Sequence, residues 1–201
     1  MNELYPIFLK AHALPILIVG GGNVGAEKLH FLLKSSPQAN VKVVATYFHD
    51  EVKQLADLHN ISLIQRPFET ADLDQKSLVI VATDDPDLNK AIYHECRSRF
   101  LLVNVADNPT YCDFYLGGIV TKGNLKVAIS TNGKSPTAAK RLRQLFEQIL
   151  PEEMDQLLEN LNAYRQTLEL DFEGKVKALN DLTEGLLNGT QKKKENEHTI
   201  S

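Results

Sequence analysis

The chain has 201 residues, 43% of them hydrophobic, and a formal net charge of −4 at pH 7, which suits one medium α/β-sized domain plus a smaller appendage around a buried core. The mild negative charge excludes a chain-wide polyanion binder, so no nucleic-acid partner is expected. Two cysteines, Cys96 and Cys112, exclude a disulfide framework and fit no metal-ligand spacing, and no stretch reaches the roughly 20 apolar residues a membrane span needs.

Pro15 to Gly20 reads as a first strand, and Asn23 to Ser35 as the helix after it. Between them lies Gly20-Gly21-Gly22-Asn23-Val24-Gly25, a G-x-G-x-x-G run. Gly20 suits a tight turn, Gly22 a close approach of backbone to a pyrophosphate, and Gly25 close packing of helix on strand. The N–H groups of Asn23 and Val24 open the helix, where the dipole favours an anion. The alternative is a structural turn without a ligand.

Val41 to Ala45 reads as a second strand, Asp50 to His59 as a helix, and Ile61 to Gln65 as a third strand. Leu78 to Ala82 is a continuous apolar run, as in a strand covered on both faces. Asp85-Pro86 then opens a helix with a cap and an N1 proline, running to about Arg99, and Leu101 to Val105 is a fifth strand. Strands alternating with helices imply right-handed crossovers and a parallel sheet.

The pattern changes after Pro109. Phe114 to Val120 and Leu125 to Ser130 read as a hairpin turning at Thr121-Lys122-Gly123-Asn124. Ser135-Pro136 begins a helix reaching about Leu150, Pro151 restarts one, and a further amphipathic segment covers Val176 to Leu187. The polar end, 188–201, reads as a disordered tail. The expected organisation is a dinucleotide-binding domain over 1–112, a dimerisation region over 113–150 and a helical part over 151–187. Hairpin and helices are too small for a core of their own, which favours a homodimer centred on the hairpin region.

Ligands of such sheets bind at the carboxyl ends of the strands. Besides the glycine loop, Ala82-Thr83-Asp84-Asp85 and Asn104-Val105-Ala106-Asp107-Asn108-Pro109 fall there. Thr83, Asp84 and Asn104 are candidate cofactor contacts, against a competing role for the first pair in helix capping and turn chemistry. Asp107, between a buried strand and a proline, suits a general base; an Asx-turn is the alternative. Ser130, Gly133, Lys134 and Ser135 precede a helix carrying Lys140, Arg141 and Arg143, and form a candidate anion site, or merely an N-cap with a solvated basic face. One expected feature is missing. No acid stands at the end of strand two, where the sequence reads Val44-Ala45-Thr46 and the first acid is Asp50. Ribose recognition therefore falls to Thr46 or backbone groups, and the absence of an arginine there favours NAD modestly over NADP. The six histidines are scattered, so no metal site is expected.

Six stretches together resemble one family: Tyr5-Pro6-Ile7-Phe8, Val19 to Lys28, Ala82 to Asp85, Val103 to Asp107, Cys112-Asp113-Phe114, and Val127 to Pro136. The chain is similar over about Leu4 to Pro151 to the precorrin-2 dehydrogenase and sirohydrochlorin ferrochelatase family, the N-terminal module of siroheme synthase. The resemblance implies a Rossmann domain, a small β-rich dimerisation region and a helical C-terminal part. It implies NAD-dependent oxidation of precorrin-2 to sirohydrochlorin, with ferrous insertion in several members. Two cysteines without a disulfide framework make a reducing, cytoplasmic setting the expectation. The family's essential aspartate matches Asp107, and a family serine matches Ser130 or Thr131. Two departures stand out. Gly117-Gly118 replaces the usual proline and alanine, and no methyltransferase domain follows, so precorrin-2 is expected from a separate protein. A non-catalytic NAD-sensing domain and an inactive tetrapyrrole carrier are the competing expectations; the missing acid after strand two speaks against the sensor.

Overall fold

A computed structural model describes residues 2–188. The chain divides into two compact units, Met1–Val120 with Val127–Phe146, and Thr121–Lys126 with Glu147 onward. The first holds a five-stranded parallel sheet of β1 (Ile16–Val19), β2 (Val41–Ala45), β3 (Ser62–Gln65), β4 (Leu78–Val81) and β5 (Leu102–Val105), in the order β3-β2-β1-β4-β5. The chain winds outward from β1 to β3 and then crosses back to β4, so the topological switch lies between β1 and β4.

Alternation along the strands divides the core between the two faces. Ile16, Ile18, Val43 and Ile80 meet Leu29 and Leu33 of α1 (Asn23–Ser35) and Val52 of α2 (Asp50–His59). Leu17, Val19, Val79 and Val103 meet Ile92 and Cys96 of α3 (Pro86–Ser98), together with Leu73. Each fully buried Val, Ile or Leu contributes about 1.5–3 kcal/mol, so this two-sided core carries the unit. Asp85 caps α3 as expected, its Oδ1 accepting from the N–H groups of Asp87 and Leu88 at 3.0 Å each, with Pro86 at N1.

The edge of β5 is sealed within the same chain. Asp113 N–H donates to the Val103 carbonyl at 2.8 Å, and the Val103 N–H donates to Asp113 Oδ2 at 3.1 Å. Asn104 and Cys112 form an antiparallel bridge, and Arg97 Nη1 of α3 holds Asp113 Oδ1 at 2.6 Å. An open strand edge is a template for unwanted pairing, and these contacts close it. This is why the hairpin begins late: the residues around Phe114 serve β5, and the strands are β6 (Gly118–Lys122) and β7 (Leu125–Ile129) around a Gly123-Asn124 turn.

Helix α4 (Pro136–Ile149) follows. Within the second unit, α5 (Met154–Thr167) begins three residues beyond Pro151, and α6 (Phe172–Asn188) starts four residues before the expected Val176. There Asp155 Oδ1 accepts from the backbone N–H of Asn124 at 2.6 Å, and Glu152 pairs with Lys122. Asn188, expected to open the tail, instead ends α6, and the rest of the expected tail, 189–201, lies outside the described residues. No described helix is long and apolar enough to cross a membrane.

Candidate dinucleotide site and its neighbouring carboxylate

The glycine loop sits at the switch point. Gly20 has φ +115°, which L side chains rarely adopt, and a Cβ there would stand 2.2 Å from the Ala82 carbonyl oxygen. Gly25 lies in the first turn of α1 with its Cα face against the loop, where a Cβ would be 2.2 Å from the Gly20 carbonyl oxygen. Gly22 differs: it is exposed, and a Cβ there would meet nothing within 4 Å. Gly20 and Gly25 are thus needed by the fold, whereas Gly22 leaves open space over the first N–H groups of α1, including those of the exposed Asn23 and half-buried Val24. No side chain caps this helix and no acid stands in its first turn, so its positive end faces outward without a counter-charge. These residues fit a dinucleotide pyrophosphate.

The neighbouring strand ends divide the expected contacts into engaged and available groups. Thr83 is engaged: its hydroxyl bonds the Asn89 side chain, and the Asn89 amide donates back to the Thr83 carbonyl at 3.1 Å. Asp84 is exposed beside it, at the mouth of the switch. Thr46 is exposed at the end of β2, its carbonyl accepting from Gln65 Nε2 at 3.4 Å.

Asn104 is 6% exposed and faces inward: its Nδ2 donates to the Phe114 carbonyl at 2.8 Å and lies 3.3 Å from Cys112 Sγ. The Cys112 thiol in turn lies 3.2 Å from the carbonyls of Val105 and Asn108. Asn104 therefore clamps the two ends of the loop that carries Asp107. Cys112-Asp113-Phe114, in the sequence only a part of the family resemblance, takes this role from packing. The available signal was an amide inside an otherwise apolar strand, which needs a partner when buried.

Asp107 stands exposed at the tip of this clamped loop, with φ +59°. Aspartate is one of the few non-glycine residues that tolerates this region, and such strain concentrates at functional sites. The carbonyl of Val81 takes the Ala106 N–H at 2.9 Å, which pins the loop's start to β4 beside the switch. The side chains of Asp107, Asp84 and the glycine loop thus come from the carboxyl ends of β5, β4 and β1, three adjacent strands.

The Ser130–Ser135 segment belongs to a different part of the unit, between β7 and α4. It is wound on itself: Ser130 Oγ accepts from the Asn132 N–H at 3.2 Å, and the Lys134 N–H donates to the Thr131 carbonyl at 3.1 Å. Asn132 and Gly133 both have positive φ, and Ser135 Oγ accepts from the Ala138 N–H at 3.1 Å as the cap of α4. Ser130, Gly133 and Lys134 remain exposed. Neither cysteine offers a reactive thiolate: burial pushes Cys96 up to about 12, and burial also raises Cys112. No group of three or more His, Cys, Asp or Glu among the described residues is arranged to hold a metal.

Comparison with known proteins agrees with this geometry. Residues 7–118 match a family described as "Putative NAD(P)-binding", and residues 122–149 one described as "Sirohaem biosynthesis protein central". Siroheme synthase of Pseudoalteromonas atlantica is 35% identical over 201 residues, covering 96% of this chain and 43% of that protein. Siroheme synthase of Nitrosococcus oceani is 36% identical over 188 residues, covering 94% of this chain and 40% of that one. The chain therefore spans about two fifths of the length of these curated relatives. A solved structure titled "SirC, precorrin-2 dehydrogenase" superposes with a TM-score of 0.73 at 23% identity, covering 89% of each chain, and supports the fold. With its glycine loop at the switch point and the two module matches in succession, the chain belongs to the NAD(P)-binding family, in the form that siroheme synthases carry.

Proposed function

We propose that this chain oxidises precorrin-2 to sirohydrochlorin with NAD⁺ as acceptor. The observation that carries the reading is the pairing of a phosphate-ready glycine loop with a strained, exposed carboxylate, Asp107, on adjacent strand ends of a siroheme-synthase relative. Gly20, Gly22 and Gly25 shape the loop, Asn23 and Val24 donate to the pyrophosphate, and Asp84 and Thr46 border the ribose. Bound NAD⁺ supplies the hydride acceptor. The second hydrogen leaves the macrocycle as a proton, and the Asp107 carboxylate takes it. Asn104 and Cys112 hold the Asp107 loop, so orientation supplies much of the rate. Ser130, Gly133, Lys134 and Ser135 recognise the carboxylates of the tetrapyrrole, with Lys140 and Arg141 adding positive charge.

The experiment is direct. Purified chain given precorrin-2 and NAD⁺ forms NADH, seen by absorbance; a non-catalytic nucleotide sensor binds NAD⁺ and forms none. Ferrous insertion into sirohydrochlorin, with iron as substrate and Asp107 accepting the pyrrole protons, is the finer part of the proposal. It is tested by supplying ferrous ion and sirohydrochlorin without NAD⁺.

The working form is a cytoplasmic homodimer. α4 and α5 contain no buried residue, and Leu145 and Ile149 are 48% and 58% exposed. Apolar surface of that kind on an amphipathic helix favours a partner, and a second copy joined through residues 113–150 supplies one.

A further inference from the structure

Asn104 and Cys112 hold the Asp107 loop from one side of the sheet. Residues alternate along β5, so Val103 and Val105 pack with Ile92 and Cys96 of α3, while Asn104, in register with Ile80, lies on the face of α1 and α2. Phe114, whose carbonyl takes the Asn104 amide, packs on that same face. A loop fastened on a single face of its strand is free to roll about it, and Asp107 at the tip would roll with it.

The opposite face carries a second hold. Two residues after Asp107 the chain enters a short 3-10 turn, Pro109–Tyr111, in which the Tyr111 N–H donates to the Asn108 carbonyl at 3.0 Å. This turn brings the half-buried Tyr111 ring onto the α3 face of the core. Its centroid lies 4.7 Å from that of Tyr93 on α3, with the planes 32° apart. His94 meets the Tyr93 ring edge-on at 5.3 Å and the Tyr111 ring at 6.4 Å. At such separations aromatic rings attract one another beyond the area they bury. The platform beneath is itself fixed, since Asp85 caps α3 and the Asn89 amide ties its first turns to the Thr83 carbonyl at the end of β4. Tyr111 and Phe114 thus straddle β5, one ring on each face of the sheet, with Cys112 bridged to Asn104 between them.

We infer that Tyr111, seated on Tyr93, is a positioning residue for the Asp107 carboxylate: its ring stops the loop from rolling, so turnover depends on it and dinucleotide binding does not. The inference rests on the dehydrogenase reading, in which Asp107 takes the substrate proton. The contact is ring on ring, so phenylalanine serves in place of tyrosine.

The test uses the full chain and three readouts: NADH formation from precorrin-2 at saturating NAD⁺, the Kd for NADH, and amide hydrogen exchange over residues 105–112 with β1 as reference. Tyr111→Ala is expected to lower kcat by about tenfold, the upper range of what an aromatic pair is worth. It leaves the Kd for NADH within about threefold, as for a site it does not touch, and speeds exchange over 105–112 but not in β1. Tyr111→Phe restores both kcat and protection. Tyr93→Ala reproduces the pattern, and the double variant Tyr93→Ala/Tyr111→Ala loses no more than either alone, because both remove one contact. If Tyr111→Ala melts early, Tyr111→Leu keeps apolar cover on the core without the ring and takes its place. Wild-type kcat in these variants overturns the inference, as do unchanged exchange over 105–112 and full addition of the two losses. Loss of NADH binding along with kcat also overturns it, since the ring would then support the nucleotide site rather than the loop. Wild type that binds NADH but never oxidises precorrin-2 overturns the dehydrogenase reading and with it the role in turnover, and the exchange data then uphold or overturn the seating of the loop by themselves.

Discussion

Asp107 combines exposure, a left-handed backbone and a clamped loop, and each property bears on how its role is tested. Asn tolerates positive φ nearly as well as Asp but accepts no proton at neutral pH, so Asp107→Asn separates chemistry from shape. We expect dinucleotide binding unchanged and dehydrogenation slower by at least about 100-fold, the usual contribution of a general base. NADH formation at saturating NAD⁺ measures it, and near-wild-type turnover would remove Asp107 from the mechanism. Asn104 acts through its neighbours. Asn104→Ala strips the Phe114 carbonyl of its donor in a buried setting, at a cost of about 1–3 kcal/mol in urea unfolding. Because the same change frees the Asp107 loop, kcat should fall while the Kd for NADH holds. The glycines split similarly: Gly22→Ala should melt like wild type yet bind NADH more weakly, whereas Gly25→Ala, forced to 2.2 Å from the Gly20 carbonyl oxygen, should lose stability as well.

Among the elements, the turn between β3 and β4 carries a charged contact whose sign can be worked out. Arg66 Nη2 lies 2.6 Å from Asp72 Oδ1, and the hydrogen bond from this guanidinium holds the Asp72 carboxyl below its ordinary 3.8. A lowered carboxylate contributes stability above its unfolded value and loses it as pH falls through the folded one. The stability gap between wild type and Asp72→Asn should therefore be full at neutral pH and close progressively below 3.8, as followed by denaturant unfolding across pH. The sheet and its helices were legible because their signals are local: β4 is an unbroken apolar run, and Asp85-Pro86 announces α3. The start of β6 was not. Residues 112–114 have the composition of a strand, but their hydrogen bonds go to β5, some ten residues back, and no local periodicity reports a pairing at that distance.

For the molecule, the contrast between the two halves of the chain is the main physical fact. The parallel sheet is buried on both faces, whereas α4 and α5 bury no residue. In the proposed homodimer a second copy would cover α4, and Leu145→Asp, which puts a charge on this apolar face, is expected to shift the protein toward monomer in sedimentation while leaving its far-ultraviolet circular dichroism intact. Residue types and their spacing were enough to specify the order of strands and helices, the glycine loop and the absence of an acid after β2, because propensity, capping and glycine geometry act over a few residues. Folding in three dimensions assigned the rest: Gly25 against Gly20, Asn104 turned inward onto Phe114, and Asp107 raised at a loop tip beside the switch. Those are contacts between segments brought together by packing, and which way a buried amide turns depends on the partner that packing delivers.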